Sequence, residues 1–183
     1  MPEELIIRHC APTLAGIKTA NMFHCPYGCS EEMRKDIRWM NRALMPKGLR
    51  VLPLRYSNGS ALLYFYRPSR LQRDLSDGCA CKILQRCGYE WNNTGKCVAR
   101  LACRIRECEQ FPHEVGLFLG YPSADVRGFI ENQAKGCKCC GCWKVYENET
   151  EAKRIFVRYK KCTDAYMKQW KKGKSVEHLT VSE

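Results

Sequence analysis

Apolar and polar residues alternate along this chain in two rhythms, and the change of rhythm marks its elements. From Ser30 onward apolar side chains return at Ile37, Met40, Ala43 and Leu44, the period of a helix with one buried face. Ser30 followed by Glu31 and Glu32 predicts its start, with negative charge at the positive end of the helix dipole. Pro46 and Gly48 predict its end. The rhythm then shortens. LRVLPLRY (49–56) and SALLYFYR (60–67) are apolar runs joined across Ser57-Asn58-Gly59. Asn-Gly between such runs predicts a hairpin, because both residues tolerate positive φ. Pro53 cannot donate to a ladder, so the first run is expected at a sheet edge.

The remaining pattern fills in around this hairpin. Residues near 3–9 and 12–17 read as helical, with Pro12 in a first turn, and TANMFHC (19–25) reads as a short strand. Residues 68 to 108 read as two or three helices, WKVY (143–146) as a last strand, and about 149 to 172 as a long helix. Gly173 ends that helix, and Ser175 can cap a short final one. FPHEVGLFLGYPSADVRGFIENQ (111–133) reads as two short helices around a tight turn. Pro112 suits the first turn, Gly120 a C-terminal cap and Ser123 the next start, while Val126, Phe129 and Ile130 share a face. The expected fold class is α+β, a small and mostly antiparallel sheet with a central hairpin, covered by helices. Proline-rich linkers and internal repeats are absent, so a single domain over 1–183 is expected.

Composition agrees with a globular protein. The 183 residues are 45% apolar and 27% charged, enough for a genuine core. No stretch approaches the roughly 18 consecutive apolar residues that span a bilayer. The opening MPEELIIRHC carries two acids before a short apolar run, unlike the basic start of a secretory leader. A cytoplasmic protein without membrane contact is the expectation.

The formal charge of +12 adds the question of partners. Much of it lies in the last helix, where Phe156, Tyr159, Tyr166 and Trp170 interleave the lysines at helical spacing. That spacing is the buried stripe of an amphipathic helix with a solvated basic face. Nucleic acid is the less favoured partner. Its best anchor is the helix-turn-helix-like segment 112–133, where Arg127 is offset by Asp125, Glu131 and a mid-helix Gly128.

Candidate chemistry rests on fourteen cysteines. Cys137, Cys139, Cys140 and Cys142 lie within GCKCCGCWKVY as two interlaced CxxC pairs, Cys137/Cys140 and Cys139/Cys142. Thiolates are soft donors, so iron or zinc is the expected cofactor, with Cys25 and Cys29, or Cys103 and Cys108, able to complete a set. Cys139 and Cys140 are neighbours whose side chains diverge, which limits what a single site can use. Cys25-Pro26-Tyr27-Gly28-Cys29 is similar to the CPYC of glutaredoxins with one residue too many. A separate reading makes the chain an enzyme with Cys10 as nucleophile, before Ala11-Pro12, and His9 beside it as a candidate base. Adjacent residues seldom face each other, so His24 or His113 is the better candidate for that base. The thiols of Cys79, Cys81, Cys87, Cys97, Cys103 and Cys108 read as small buried groups of helices.

HCAPTLAGIKTANMF, YRPSRLQRDL, FPHEVGLFLGYPSADVRGFIEN, CWKVY and the Lys-rich last helix, in this order, resemble a clostridial family catalogued as domain of unknown function 3793. The resemblance runs along nearly the whole chain. It implies a compact cytosolic protein of an anaerobic bacterium and brings no catalytic residues with it. It also implies an association with flavodoxin and ferrous-iron uptake, and so an acidic redox protein such as a flavodoxin as partner. Together with the thiols, this makes metal binding or thiol redox chemistry in metal handling the expected function.

Overall fold

The computed structural model describes residues 1–108 and 111–183. In chain order its elements are α1 (Glu3–Leu14), β1 (Ala20–Pro26), α2 (Ser30–Leu44), a 3-10 turn (Met45–Lys47), β2 (Arg50–Ser57), β3 (Ser60–Tyr66), α3 (Pro68–Leu75), α4 (Gly78–Arg86) and α5 (Thr94–Glu107), then α6 (Val115–Phe118), α7 (Ser123–Glu131), β4 (Cys139–Cys140), β5 (Lys144–Val145), α8 (Glu149–Lys171) and α9 (Val176–Leu179). The fold is α+β. The chain forms two compact units, Met1–Ser69 with Tyr159–Glu183, and Arg70–Arg158. Among the described residues no helix is long and apolar enough to cross a membrane.

The first unit is built on an antiparallel sheet of order β1-β3-β2. Asn58 (φ 47°) and Gly59 (φ 71°) turn the expected hairpin with left-handed backbone. β3 is the central strand, buried at five successive positions from Ala61 to Phe65. β2 is the edge that Pro53 predicts, with a bulge between Pro53 and Arg55. The Asn41 side chain covers this edge, accepting from Val51 N at 2.9 Å and donating to Val51 O at 2.8 Å. One sheet face contributes Phe23, Cys25, Val51, Ala61, Leu63 and Phe65 to a core with Ile6, Cys10 and Leu14 of α1 and Met33, Ile37, Met40 and Leu44 of α2.

Arg67 closes this unit. Its guanidinium is fully buried and donates to four backbone carbonyls: Nε to Thr13 at 2.7 Å, Nη1 to Lys47 at 3.1 Å, and Nη2 to Leu14 and Val181 at 2.8 and 2.7 Å. Thr13 and Leu14 carry the last carbonyls of α1, where a helix dipole favours a cation. Val181 N in turn donates to Leu14 O at 3.0 Å, so the final residues are stitched to the end of α1.

The helix α2 starts at Ser30 with Glu31 and Glu32 in its first turn, as expected, although Cys29 stands at its N-cap and no side chain caps it. Two local expectations differ. The two N-terminal helices are one, since α1 runs through Pro12. The ring costs only the bond to the Arg8 carbonyl, and the helix stops two residues later. The strand at WKVY does not join the main sheet. It shortens to β5 and pairs with β4, Cys139 opposite Val145 and Cys140 opposite Lys144.

The second unit packs α3, α4 and α5 with α6, α7, the β4–β5 hairpin and the first turns of α8. Asp77 caps α4 by accepting from Cys79 N and Ala80 N, and Asn93 caps α5 by accepting from Lys96 N. In its interior Glu114 is 3% exposed, pairs with Arg104 at 2.7 Å and accepts from the Tyr89 hydroxyl at 2.8 Å. A buried carboxylate needs such partners.

Candidate functional site

The cysteine-rich segment is the tip of the β4–β5 hairpin, and Asp125 of α7 holds it. The buried Asp125 carboxylate accepts from Trp143 Nε1 at 2.7 Å, Tyr146 N at 2.7 Å and Glu147 N at 3.0 Å. Trp143 is then wedged between Tyr121, stacked at 5.2 Å, and Phe156, edge-on at 4.6 Å. Two glycines let these rings approach. A Cβ on Gly141 would lie 2.2 Å from the Phe156 ring, and one on Gly128 would lie 2.6 Å from the Tyr146 ring. Gly128 therefore serves packing inside α7. Asp125 likewise faces inward and does not oppose an anion at the surface.

In a strand, successive side chains point to opposite faces, and this divides the thiols. Cys140 lines a cavity of about 540 Å³, with Pro112, Gly116, Val126, Phe129 and Trp143 among its apolar walls. Its polar lining is sparse: Cys140, His113, Lys144, the Tyr121 phenol, and the Asp125 already engaged. Cys139, on the other face, lies in the field of Glu149 and Lys153 at the start of α8. Burial first, then Glu149, pushes its thiol up. The interlaced pairs therefore do not form one ligand set. Among the described residues no three His, Cys, Asp or Glu side chains gather into a group that could hold a metal.

The cavity has a wet rim and a dry floor. His113 and Cys140 are exposed, whereas Gly116, Val126 and Trp143 are buried. The His113 ring meets Phe129 edge-on at 5.2 Å. Lys144 Nζ sits 5.9 Å from the Phe129 ring centre and donates to Ala134 O at 2.8 Å. Burial pushes the Tyr121 phenol up to about 12, so its hydroxyl stays protonated. The segment 112–133 is thus a cavity wall. α6 is only four residues long, Ser123 donates to Asp77 at 2.6 Å without capping α7, and Gly116 is the small residue against which Val126 packs.

The other candidates are placed differently. Cys10 is fully buried on the inner face of α1, inside the helix and not at its N-terminus, and burial pushes its thiol far up. A thiolate is not available there. His9, on the outer side of α1, stacks on Phe23 at 4.9 Å, and burial and Arg8 lower its pKa. His24 lies on the strand face opposite Cys25 and comes within 3.4 Å of Ser60 Oγ. Cys25 is buried in the core with its pKa raised by burial, while Cys29 is exposed at the α2 N-cap. A glutaredoxin-like attack by Cys25 has no support in that environment. Of the six thiols between residues 79 and 108 that were expected to be buried, Cys97 is; Cys79, Cys81, Cys87 and Cys103 are half-buried, and Cys108, just past the end of α5, is exposed.

Sequence reasoning found the thiols and the stretch 111–133 but not that they meet. The available signal was the pair of glycines, Gly116 and Gly128, beside aromatic residues, which marks close ring packing more than it marks a turn. Neither a curated protein nor a solved structure matches the chain. The model of a family described as protein of unknown function (DUF3793) matches residues 6–180, and the chain belongs to that family.

Proposed function

We propose that this protein binds a small, planar, largely apolar molecule in the cavity of the Arg70–Arg158 unit and presents the Cys140 thiol to it. The observation that carries this reading is the cavity of about 540 Å³ with aromatic walls and few polar side chains. Ligand sites have this size and this balance. Tyr121, Phe129 and Trp143 favour a flat ring system by offset stacking. Lys144 and His113 favour an anionic substituent at the rim. Cys140 adds a soft sulfur that, as thiolate, can act as donor or nucleophile. An exposed thiol persists best in a reducing compartment, which fits the cytoplasm.

The test uses the anionic aromatic probe 1-anilinonaphthalene-8-sulfonate. Saturable binding should quench Trp143 and slow iodoacetamide alkylation of Cys140, while Cys142, which is exposed but does not line the cavity, keeps its rate. Equal rates at both thiols with and without probe would remove the cavity as the site.

A second reading, metal handling, rests on a different observation. Cys137, Cys139, Cys140 and Cys142 sit on one hairpin and none is buried. Because Cys139 and Cys140 diverge, capture of zinc or ferrous iron would need the hairpin to rearrange or a partner to supply thiolates. A basic chain of this kind suits an acidic redox protein as that partner. Anaerobic titration with Zn²⁺ or Fe²⁺ should release protons, and the double change Cys137→Ser, Cys140→Ser should abolish uptake. A wild-type protein that takes up no metal ends this reading.

A further inference from the structure

The outer face of α2 carries four cations and one large aromatic side chain, and no chemistry above uses them. The inner face is committed to the core through Met33, Ile37, Met40 and Leu44, and Asn41 is fixed to Val51. On the outside, Arg34, Arg38 and Arg42 stand at i, i+4 and i+8, which places them on one ridge about 6 Å apart along the axis. Lys35 and Trp39 form the neighbouring ridge at i and i+4. All five are exposed, Trp39 to 55%.

A merely solvated helix face usually sets acids three or four residues from its cations. Here Glu31 and Glu32 stand at that spacing from Arg34 and Lys35 without pairing with them, Arg38 and Arg42 have no acid at that spacing, and the Asp36 carboxylate is taken by the Met1 ammonium. Among the described residues none of Arg34, Lys35, Arg38 and Arg42 makes an ion pair or a hydrogen bond. Elsewhere the protein does pair exposed cations, as in Arg8 with Glu4 at 2.6 Å and Arg127 with Glu147 at 3.0 Å. The indole adds to this. Trp143 is buried and Trp170 half-buried, whereas Trp39, more exposed than Trp91 (55% against 40%), offers its ring to solvent between Lys35 and Arg42.

We infer that this face is a binding site for single-stranded nucleic acid, with the Arg34–Arg38–Arg42 ridge tracking phosphates and Trp39 stacking a base. A cationic track beside an exposed aromatic platform is what such binding needs, and it is tolerant of sequence. The net charge of +12 adds attraction for any polyanion, and the fixed α2 keeps the ridge straight without an ordering cost. A membrane surface fits less well. The apolar face an interfacial helix would insert is already packed against the sheet.

The experiment measures fluorescence anisotropy of labelled short oligouridylate and oligothymidylate from about 50 to 200 mM salt. Wild-type protein should bind with a clear salt slope. The triple change Arg34→Gln, Arg38→Gln, Arg42→Gln should cut that slope by about 2, since each single-strand phosphate contact contributes about 0.7. Trp39→Ala should weaken binding roughly tenfold, and Trp39→Phe should restore most of it. Lys171→Gln, Lys172→Gln and Lys174→Gln together should cost less than the α2 triple. All changed side chains are exposed, so circular dichroism should stay unchanged. Absence of binding at the lowest salt overturns the proposal. So does an unaltered affinity in Trp39→Ala, or a larger loss from the lysine triple. Competition by polyglutamate as strong as that by the oligonucleotide also overturns it, and assigns the face to an acidic protein.

Discussion

Trp143 Nε1 donates to Asp125 Oδ2 at 2.7 Å, and through this contact a two-residue strand pair becomes a fixed platform for thiols. A hairpin with only β4 and β5 in register would be marginal alone. Asp125 supplies what the short ladder lacks, because its other oxygen takes the amides of Tyr146 and Glu147.

Asp125→Ala should therefore destabilise the protein by roughly 3 kcal/mol, since three donors lose a charged acceptor in a buried setting. Asp125→Asn, which keeps one acceptor oxygen, should cost less. Denaturant midpoints followed by tryptophan emission check this, and a loss under about 1 kcal/mol for the alanine variant would deny Asp125 its anchoring role.

Gly141→Ala should destabilise by about 1–3 kcal/mol because the added methyl meets the Phe156 ring. The cost should shrink when Phe156→Ala is present as well. A double-mutant cycle on thermal unfolding gives the coupling, and purely additive effects would mean that the ring and the glycine do not touch in solution.

Much of this was legible in the residues. Asn58-Gly59 marked the hairpin, Pro53 the edge strand and Ser175 the final cap, whose Oγ accepts from His178 N at 3.2 Å. Each is a local signal, complete within a few residues. The site was not local. Cys140 becomes a cavity residue only because strand alternation sends Cys139 the other way, and because Asp125, fifteen positions earlier, pins the loop by its side chain. A cysteine count cannot reveal which thiols face each other, and crowding in sequence placed neighbours on opposite faces. Pro12 misled for a related reason, since a proline near the end of a helix looks like one at its beginning.

Arg67→Met should lower stability by roughly 3 kcal/mol or more, leaving buried carbonyls at Thr13, Leu14 and Val181 without their donor. Arg67→Lys should rescue little, because an ammonium cannot reproduce the planar fork. Limited proteolysis near residues 176–183 should accelerate in both variants. Unchanged cleavage would detach the clasp from Arg67.

Alkaline stability should fall in a way that Cys10 shares. The Cys10 thiol has an ordinary pKa of 9.0 and is raised by burial in the fold. The folded state thus holds this proton more tightly. Stability is complete below that ordinary value and declines as pH climbs above it, by up to about 1.4 kcal/mol per pH unit for one group. Cys10→Ala should lose less stability than wild type between about pH 8 and about pH 10. Parallel declines in urea melts would show that Cys10 is not protected.

The clasp at Arg67 also bears on how the chain is made. The first unit takes its residues from Met1–Ser69 and again from Tyr159–Glu183, with Arg70–Arg158 between them. During synthesis the β1–β3–β2 sheet, α1 and α2 leave the ribosome long before Val181 exists to meet the guanidinium. Arg67 must wait, solvated or held by Thr13, Leu14 and Lys47 alone, while the intervening unit has everything it needs to fold as it emerges. The nascent protein should therefore mature from its middle outward, with the earliest residues made among the last to be secured.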